Sequence, residues 1–512
     1  MKSLSETFSH KDYLQFLDLC ESLIKQGKLQ STLKQLHNIK KIDIPRDYQA
    51  RLARICRRVG ALSMGIKVLS KTIYHKIPGE AQATSSELGE YAVLLSRIGS
   101  IDEAITILSQ LNPNDNYDLI LYHSYCLMSK WNYSDAAEKL ELFLKVSQDS
   151  YLKLVAQVNL ASCFISTKKY KEALELLNDF LIRETASDNR RLLGNCYELR
   201  GQIYFHQNLI SKAETDLCKA QEILQLTNTY DELLVRKWKL IILSHKTNDT
   251  EPLNNLKKIA TEKSHWETVR EADLYSLKIK YDQNKYDFLY FGTPYESFRL
   301  KLTDEIQKSP SSFYTLGDPN GMKISLMTGE FISSQKSQIS PKLHNLLITL
   351  TDDFYAPLWV GAIFSKTYPG EYFDIDSSPI RVRQIISNLR KWFLKNKIEC
   401  NIVSSNGRYK LQINNGISFE INTKKFIISA INRNFEILKK NFDPGTPFTI
   451  NDLASKVEGS RSHFHRLIRW ALNHKFIVKF GKGKATRYQF NDFAKDSSIK
   501  TQFLHNTNIS NS

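Results

Sequence analysis

The 512-residue sequence lacks paired cysteines, long apolar runs and the common catalytic signatures, and each absence removes a class of function. None of the seven cysteines sits in a CxxC pair. Six of them (Cys20, Cys56, Cys126, Cys163, Cys196 and Cys218) fall in helix-like patterns of the first half, which is expected of buried thiols in a reducing compartment rather than disulfides or metal ligands. No stretch reaches the roughly 20 apolar residues needed to span a bilayer. The opening MKSLSETFSHKDYLQFL has no cationic start followed by an apolar core and a small-residue cleavage site, so a cytoplasmic protein is expected, without a membrane partner. There is no GxSxG elbow and no GxxxxGK[ST] phosphate loop; GKGKAT, residues 481–486, has the wrong spacing. His463 and His465 have no further His or Cys at ligand spacing, which leaves them as helix-surface histidines. We expect no enzyme, no metal and no cofactor.

What is present is charge. The chain carries 71 Lys and Arg against 54 Asp and Glu, a formal charge of +17, with a 42% hydrophobic fraction typical of globular proteins. An anionic partner follows, although basicity alone does not separate nucleic acid from an anionic surface. The length allows about three or four domains of ~100 to 200 residues.

The first half repeats itself. Small residues recur in pairs twelve positions apart: Cys20 and Thr32, Ala53 and Gly65, Ala92 and Ala104, Ala161 and Ala173, Gly201 and Ala213, with Tyr125 and Ala137 as the exception in kind. Successive second members are 33, 39, 33, 36 and 40 positions apart, near the ~34-residue period of helix-turn-helix repeats. Two antiparallel helices would cross closely at each small pair. In these residues, best in Leu160, Ala161, Phe164, Tyr170, Ala173 and Leu177 and again in Arg200, Gly201, Tyr204, Ala213, Leu217 and Ala220, the chain resembles the tetratricopeptide repeat family. The consensus proline survives clearly only at Pro113. The helical pattern runs on through Trp238, Leu253, Leu256, Ala272 and Leu277 as a seventh, degenerate repeat and a capping helix, giving an array over residues 1–290. The resemblance implies a superhelix with a groove for a protein or peptide, with Tyr122, His123, Asn159, Ser162, Asn195, Glu198 and Gln202 facing it. The Lys and Asn pattern with which some members clamp a C-terminal carboxylate is absent, so no chaperone-tail ligand is expected. A scaffold or self-association surface is the alternative use of the same array.

Gly292, Pro294, Pro310, Gly317, Pro319 and Gly321 mark turns, and residues 291–321 are expected to be a linker around one short helix. A module follows over 322–420: short strands, helices at Pro341 to Leu350 and Val360 to Thr367, then PIRVRQIISNLRKWFLKN, residues 379–396. In this last helix Val382, Ile385, Ile386, Leu389, Trp392 and Phe393 form one face and Arg381, Gln384, Asn388, Lys391 and Lys395 the other, with Arg383, Ser387 and Arg390 alongside and no acidic residue anywhere. Gln and Asn suit adenine edges and Arg suits guanine, while the bland alternative is a solvated basic helix. Segments 398–403 and 408–413 can pair across Asn406-Gly407, a favoured hairpin turn. On LHNLLITLTDDFYAPLWVGAIFSKTYPGE, RVRQIISNLRKWF and NGRYKL the module resembles the OmpR-type winged helix-turn-helix. That resemblance implies a helix in the DNA major groove and Arg408 near the minor groove or a phosphate.

A second module, 421–492, reads as a helix at Ile427 to Asn441, the turn Asp443-Pro444-Gly445, a short helix, a helix at Ser460 to Asn473 and two strands around Gly481-Lys482-Gly483-Lys484. No acidic residue occurs from Gly459 to Phe490. It resembles a second winged helix, with Arg461, Ser462, His465, Arg466, Arg469, Lys482, Lys484 and Arg487 as DNA-contacting candidates. Residues 493–512 are expected to be a disordered tail. The expected fold is therefore mostly α, a helical repeat solenoid followed by two winged helix-turn-helix (α+β) domains. The expected function is a transcription regulator holding double-stranded DNA, with a non-DNA adaptor or scaffold as the alternative.

Overall fold

The small-residue pairs mark real helix crossings. The computed structural model describes residues 10–25, 28–39, 44–74, 81–183, 189–225, 231–332, 339–369, 371–422, 442, 445–456, 461–473, 477–481 and 483–490. Helices α1 (His10–Lys25) and α2 (Leu29–Ile39), α3 (Arg46–Arg58) and α4 (Leu62–Tyr74), α5 (Ser85–Arg97) and α6 (Ile101–Gln110), and α7 (Asp118–Ser129) and α8 (Tyr133–Val146) form consecutive hairpins. Helices α9 (Ser150–Ser166) and α10 (Tyr170–Arg183), α11 (Arg190–His206) and α12 (Ile210–Leu224), and α13 (Asp231–Thr247) and α14 (Glu251–Glu262) continue the series. Every member of the small-residue pairs except the half-buried Tyr125 is buried, one on each helix of a hairpin. A Cβ on Gly201 would stand 3.0 Å from Leu217 Cγ and 3.3 Å from the Ala213 carbonyl oxygen, so the approach of α11 to α12 depends on that glycine.

The backbone repeats too. After each odd helix from α3 to α13 one residue takes a left-handed conformation: Gly60, Gly99, Trp131, Lys168, Asn208 and Asn248. The next amide closes a six-residue loop back into the helix, as in Ser100 N–H to Leu95 O at 3.0 Å and Lys169 N–H to Phe164 O at 2.8 Å. This closure satisfies carbonyls that the helix end leaves open, and its recurrence with non-glycine residues shows that packing overrides their local preference. At the start of α8 the Asn132 side chain accepts from Asp135 N–H. Thr84 and Glu87 form a reciprocal capping box at α5.

Three more helices follow, α15 (Trp266–Ile279), α16 (Gln283–Phe291) and α17 (Glu296–Ile306). The stretch read as a linker contributes α17, whose Phe298 and Leu302 are fully buried, and then strand β1 (Phe313–Gly317). Next come β2 (Met322–Ser325), α18 (Pro341–Leu350), β3 (Leu358–Trp359), α19 (Val360–Thr367), α20 (Ser378–Lys395), β4 (Cys400–Ser405), β5 (Arg408–Ile413) and β6 (Ile417–Asn422). Strand β6 sits between β1, antiparallel, and β2, parallel; β5 sits between β3 and β4, both antiparallel. The β4–β5 hairpin turns on Asn406 (φ 50°) and Gly407 (φ 73°), with Ser405 opposite Arg408, the two left-handed positions that an Asn-Gly turn supplies. Val382, Ile385, Ile386, Leu389 and Phe393 bury one face of α20 as the spacing predicts.

One apolar core runs from Ala53 of the array through Phe298 and Leu346 to Ile421 of this α/β module, so array and module share an interior. A separate small core gathers Phe442, Phe448, Leu453, Phe464, Leu467, Ile468, Ile477, Tyr488 and Phe490. It belongs to α21 (Ile450–Lys456), α22 (Arg461–Asn473), β7 (Ile477–Phe480) and β8 (Arg487–Phe490). The expected helix from Ile427 to Asn441, the Asp443-Pro444 turn, Lys482 and the tail lie outside the described residues. Among the described residues no helix is long and apolar enough to cross a membrane.

Candidate functional site

Several of the seven residues that the resemblance places on a groove make contacts within the chain itself. Tyr122 on α7 is buried and its hydroxyl donates to Glu90 on α5. Glu90 also takes Arg54 Nε at 2.8 Å and Arg57 Nε at 3.0 Å. Burial would raise the Glu90 carboxyl, but Arg57 and Arg54 outweigh it and hold the group below the ordinary carboxylate range. His123 is half-buried and its pKa is lowered, first by burial and then by Lys139. Asn159 is half-buried and donates to Val155 O at 3.0 Å within α9; Ser162 and Asn195 are half-buried. Glu198 on α11 is buried, accepts from Gln202 Nε2 at 2.7 Å, and is pushed up to about 7, chiefly by burial. The resemblance offered these seven residues as a binding face; Tyr122 is buried with its hydroxyl on Glu90 of another helix, and Glu198 is buried with a bond to Gln202 of its own helix.

Two seams join the array to the α/β module, and the sequence reading missed both. At the first, Tyr91 on α5 donates to Phe373 O at 2.8 Å, and Phe373 N–H donates to Glu103 Oε1 on α6 at 3.1 Å. Burial pushes Glu103 up to about 6. Gly361 on α19 packs so closely that a Cβ would lie 2.7 Å from Ile98 O. At the second, Arg270 on α15 is fully buried, pairs with Asp353, and reaches Glu267 Oε1 at 2.5 Å. The Tyr295 and Tyr355 rings flank its guanidinium at 5.3 Å each. Tyr355 donates to Asp273 Oδ2 at 2.8 Å. The one signal available was an arginine inside an apolar stripe, since its partner stands 83 positions away.

On α20 the expected polar face divides. Arg383, Gln384, Asn388, Arg390 and Lys391 are exposed and Ser387 is half-buried. Arg390 donates to Ile402 O. Arg381 is turned aside: it forms an ion pair with Glu371 and lies 4.0 Å over the Tyr368 ring, and its pKa is raised, first by the Glu371 bond. Arg408 stacks 4.2 Å over Trp359. Two exposed apolar residues, Ile380 (57%) and Leu394 (79%), stand at either end of the same face. In the last module His465, Arg469 and Arg487 are exposed, whereas the side chains of Arg461, Ser462, Arg466, Lys482 and Lys484 lie outside the described residues.

A further cleft of about 380 Å³ lies among α8, α9 and α10. Glu141 of α8, Leu160 and Phe164 of α9, and Glu172, Glu175, Leu176 and Asp179 of α10 line it. The 172, 175, 179 spacing was its legible sign.

Residues 94–240, α6 through α12 with the ends of their neighbours, match the tetratricopeptide repeat-like domain family. Among solved structures, the apo form of RapI is 14% identical over 58% of this chain and 92% of that chain, with a TM-score of 0.38. The yeast Tom70 structure is 11% identical over 91% of this chain and 96% of that chain, with a TM-score of 0.17. Likeness this low supports no argument about function. No curated protein matches the chain. The family match and the recurring hairpins agree on one conclusion: residues 94–240 form a tetratricopeptide repeat-like domain.

Proposed function

We propose that this chain is a protein-interaction scaffold whose repeat array engages a protein partner. The observation that carries the reading is the repeat-like domain at 94–240, an architecture that exposes long surfaces built from successive helices. Its deep join to the α/β module makes the scaffold a rigid platform rather than beads on a tether, because the two share one core. The test is capture by the immobilised full-length chain in extract cleared of nucleic acid by nuclease. A protein partner retained saturably from this nuclease-treated extract supports the scaffold; an extract from which no protein is retained saturably sinks it.

A second reading is favoured by α20. Arg383, Gln384, Asn388, Arg390 and Lys391 share an exposed face without a carboxylate, and the hairpin beside it has the order of a wing. In this reading α18 to α20 with β4 and β5 form an OmpR-type winged helix-turn-helix that holds double-stranded DNA, and the last module, α21 to β8, adds a second grip. Selection from random duplexes at physiological salt tests it: one enriched motif supports sequence-specific binding, and no retention removes the reading.

A further inference from the structure

Three features of the cleft between α8 and α10 bear on what the scaffold would hold. The floor is apolar, made by Leu160, Phe164 and Leu176, and the rim carries four carboxylates. Of these, Asp179 pairs with Arg183 at 2.5 Å, while Glu141, Glu172 and Glu175 have no ion-pair partner among the described residues. In a chain of net charge +17, unpaired carboxylates gathered at one cleft are a local exception. At physiological salt fields decay over about 8 Å, so the charges that bear on a ligand here are the local ones: three unpaired carboxylates, Asp179 with its Arg183, and Lys169.

The other two features indicate the ligand's character. Lys169 lies 5.5 Å over the Phe164 ring, so the chain itself already places a cation against the cleft floor. One turn beyond Asp179 on the same stripe of α10, Ile182 is 79% exposed, an apolar side chain that the described residues leave largely open. We propose that this cleft docks a cationic protein segment, rich in Lys or Arg and carrying an apolar anchor that packs on Leu176 and Ile182. The proposal rests on the scaffold reading and gives it a surface made by α8, α9 and α10, which does not include the buried Tyr122 and Glu198.

The test uses the full-length chain and a fluorescein-labelled amphipathic peptide of Lys and Leu, followed by anisotropy at physiological salt. A matched peptide of Glu and Leu is the control. The E141Q/E172Q/E175Q variant removes the unpaired charges at exposed positions, so its far-UV circular dichroism should match the parent. The expected result is binding of the Lys peptide only, weakened about tenfold in the variant, the scale of a few exposed charge pairs. A chain that fails to bind the Lys peptide, or a variant that binds it as well as the parent, overturns the proposal. If the nuclease-resistant partner is captured equally by parent and variant, the cleft is not its site, while the scaffold reading stands.

Discussion

Arg270 and Asp353, 83 positions apart, meet in a fully buried ion pair between the last helices of the repeat array and the α/β module. Asp353 is fixed from its other side by the Tyr355 and Ala356 amides at 2.9 Å each, so the carboxylate cannot turn away. A buried charge stripped of its partner is costly, whereas replacing both partners by apolar groups is often close to neutral.

Asp353→Ala should therefore destabilise the chain by about 3 to 5 kcal/mol, read as a lowered urea midpoint. The double change R270M/D353L should recover the part of that loss due to the stranded guanidinium, but not the part due to the Tyr355 and Ala356 amides that bond Asp353. Equal damage from the single and double variants would show that the pair is not a coupled unit.

Glu198 gives a pH dependence with a definite sign. Its folded pKa, raised by burial to about 7, lies above the ordinary carboxyl value of 4.5. Below pH 4.5 both folded and unfolded states hold the proton, and the site costs nothing. Between 4.5 and about 7 the unfolded state ionises first, so stability falls across that window by about 3 kcal/mol. Glu198→Gln should be more stable than the parent at pH 8 and equal to it near pH 4, in thermal melts across that range. A parallel pH dependence in both proteins would exclude Glu198 as the source.

Gly361→Ala probes the first seam. The added methyl would stand 2.7 Å from the Ile98 carbonyl oxygen, backbone that cannot swing aside, so a loss of about 1 to 3 kcal/mol is expected. Gly407→Ala, where a Cβ meets nothing within 4 Å but φ is +73°, should cost less, about 1 to 2 kcal/mol, through the turn alone. The comparison is made by denaturation of the two variants side by side.

If α20 holds DNA, affinity should fall ~10³ to 10⁵-fold between 50 and 200 mM salt for six to ten neutralised phosphates. Arg383→Ala and Gln384→Ala should relax sequence preference, while Arg381→Ala, whose guanidinium is tied to Glu371, should act on stability more than on DNA. Lys482→Ala should weaken all duplexes about equally. Unchanged motif selection by the Arg383 and Gln384 variants would remove α20 from the contact.

The hairpins of the array were legible because their cause is local. A small residue on each of two helices twelve positions apart lets their backbones approach, and that requirement is written within one repeat. The Asn406-Gly407 turn and the apolar stripe of α20 were legible for the same reason: turn chemistry and helical periodicity act over a few residues. The exposed basic stripe was equally plain, yet its members look alike in sequence. Only the fold brought Glu371 and Tyr368 beside Arg381 while leaving Arg383 in solvent.

What the sequence determined by itself is the repeat unit, the helices' buried faces and the excess of positive charge. Tertiary structure decided which polar residues are spent inside: Glu90 among two arginines, Arg270 against Asp353, Phe373 between Tyr91 and Glu103. These unions span tens to hundreds of positions, and a buried charge reveals its partner only when the chain has closed around both, since desolvation makes pairing obligatory there and optional in water.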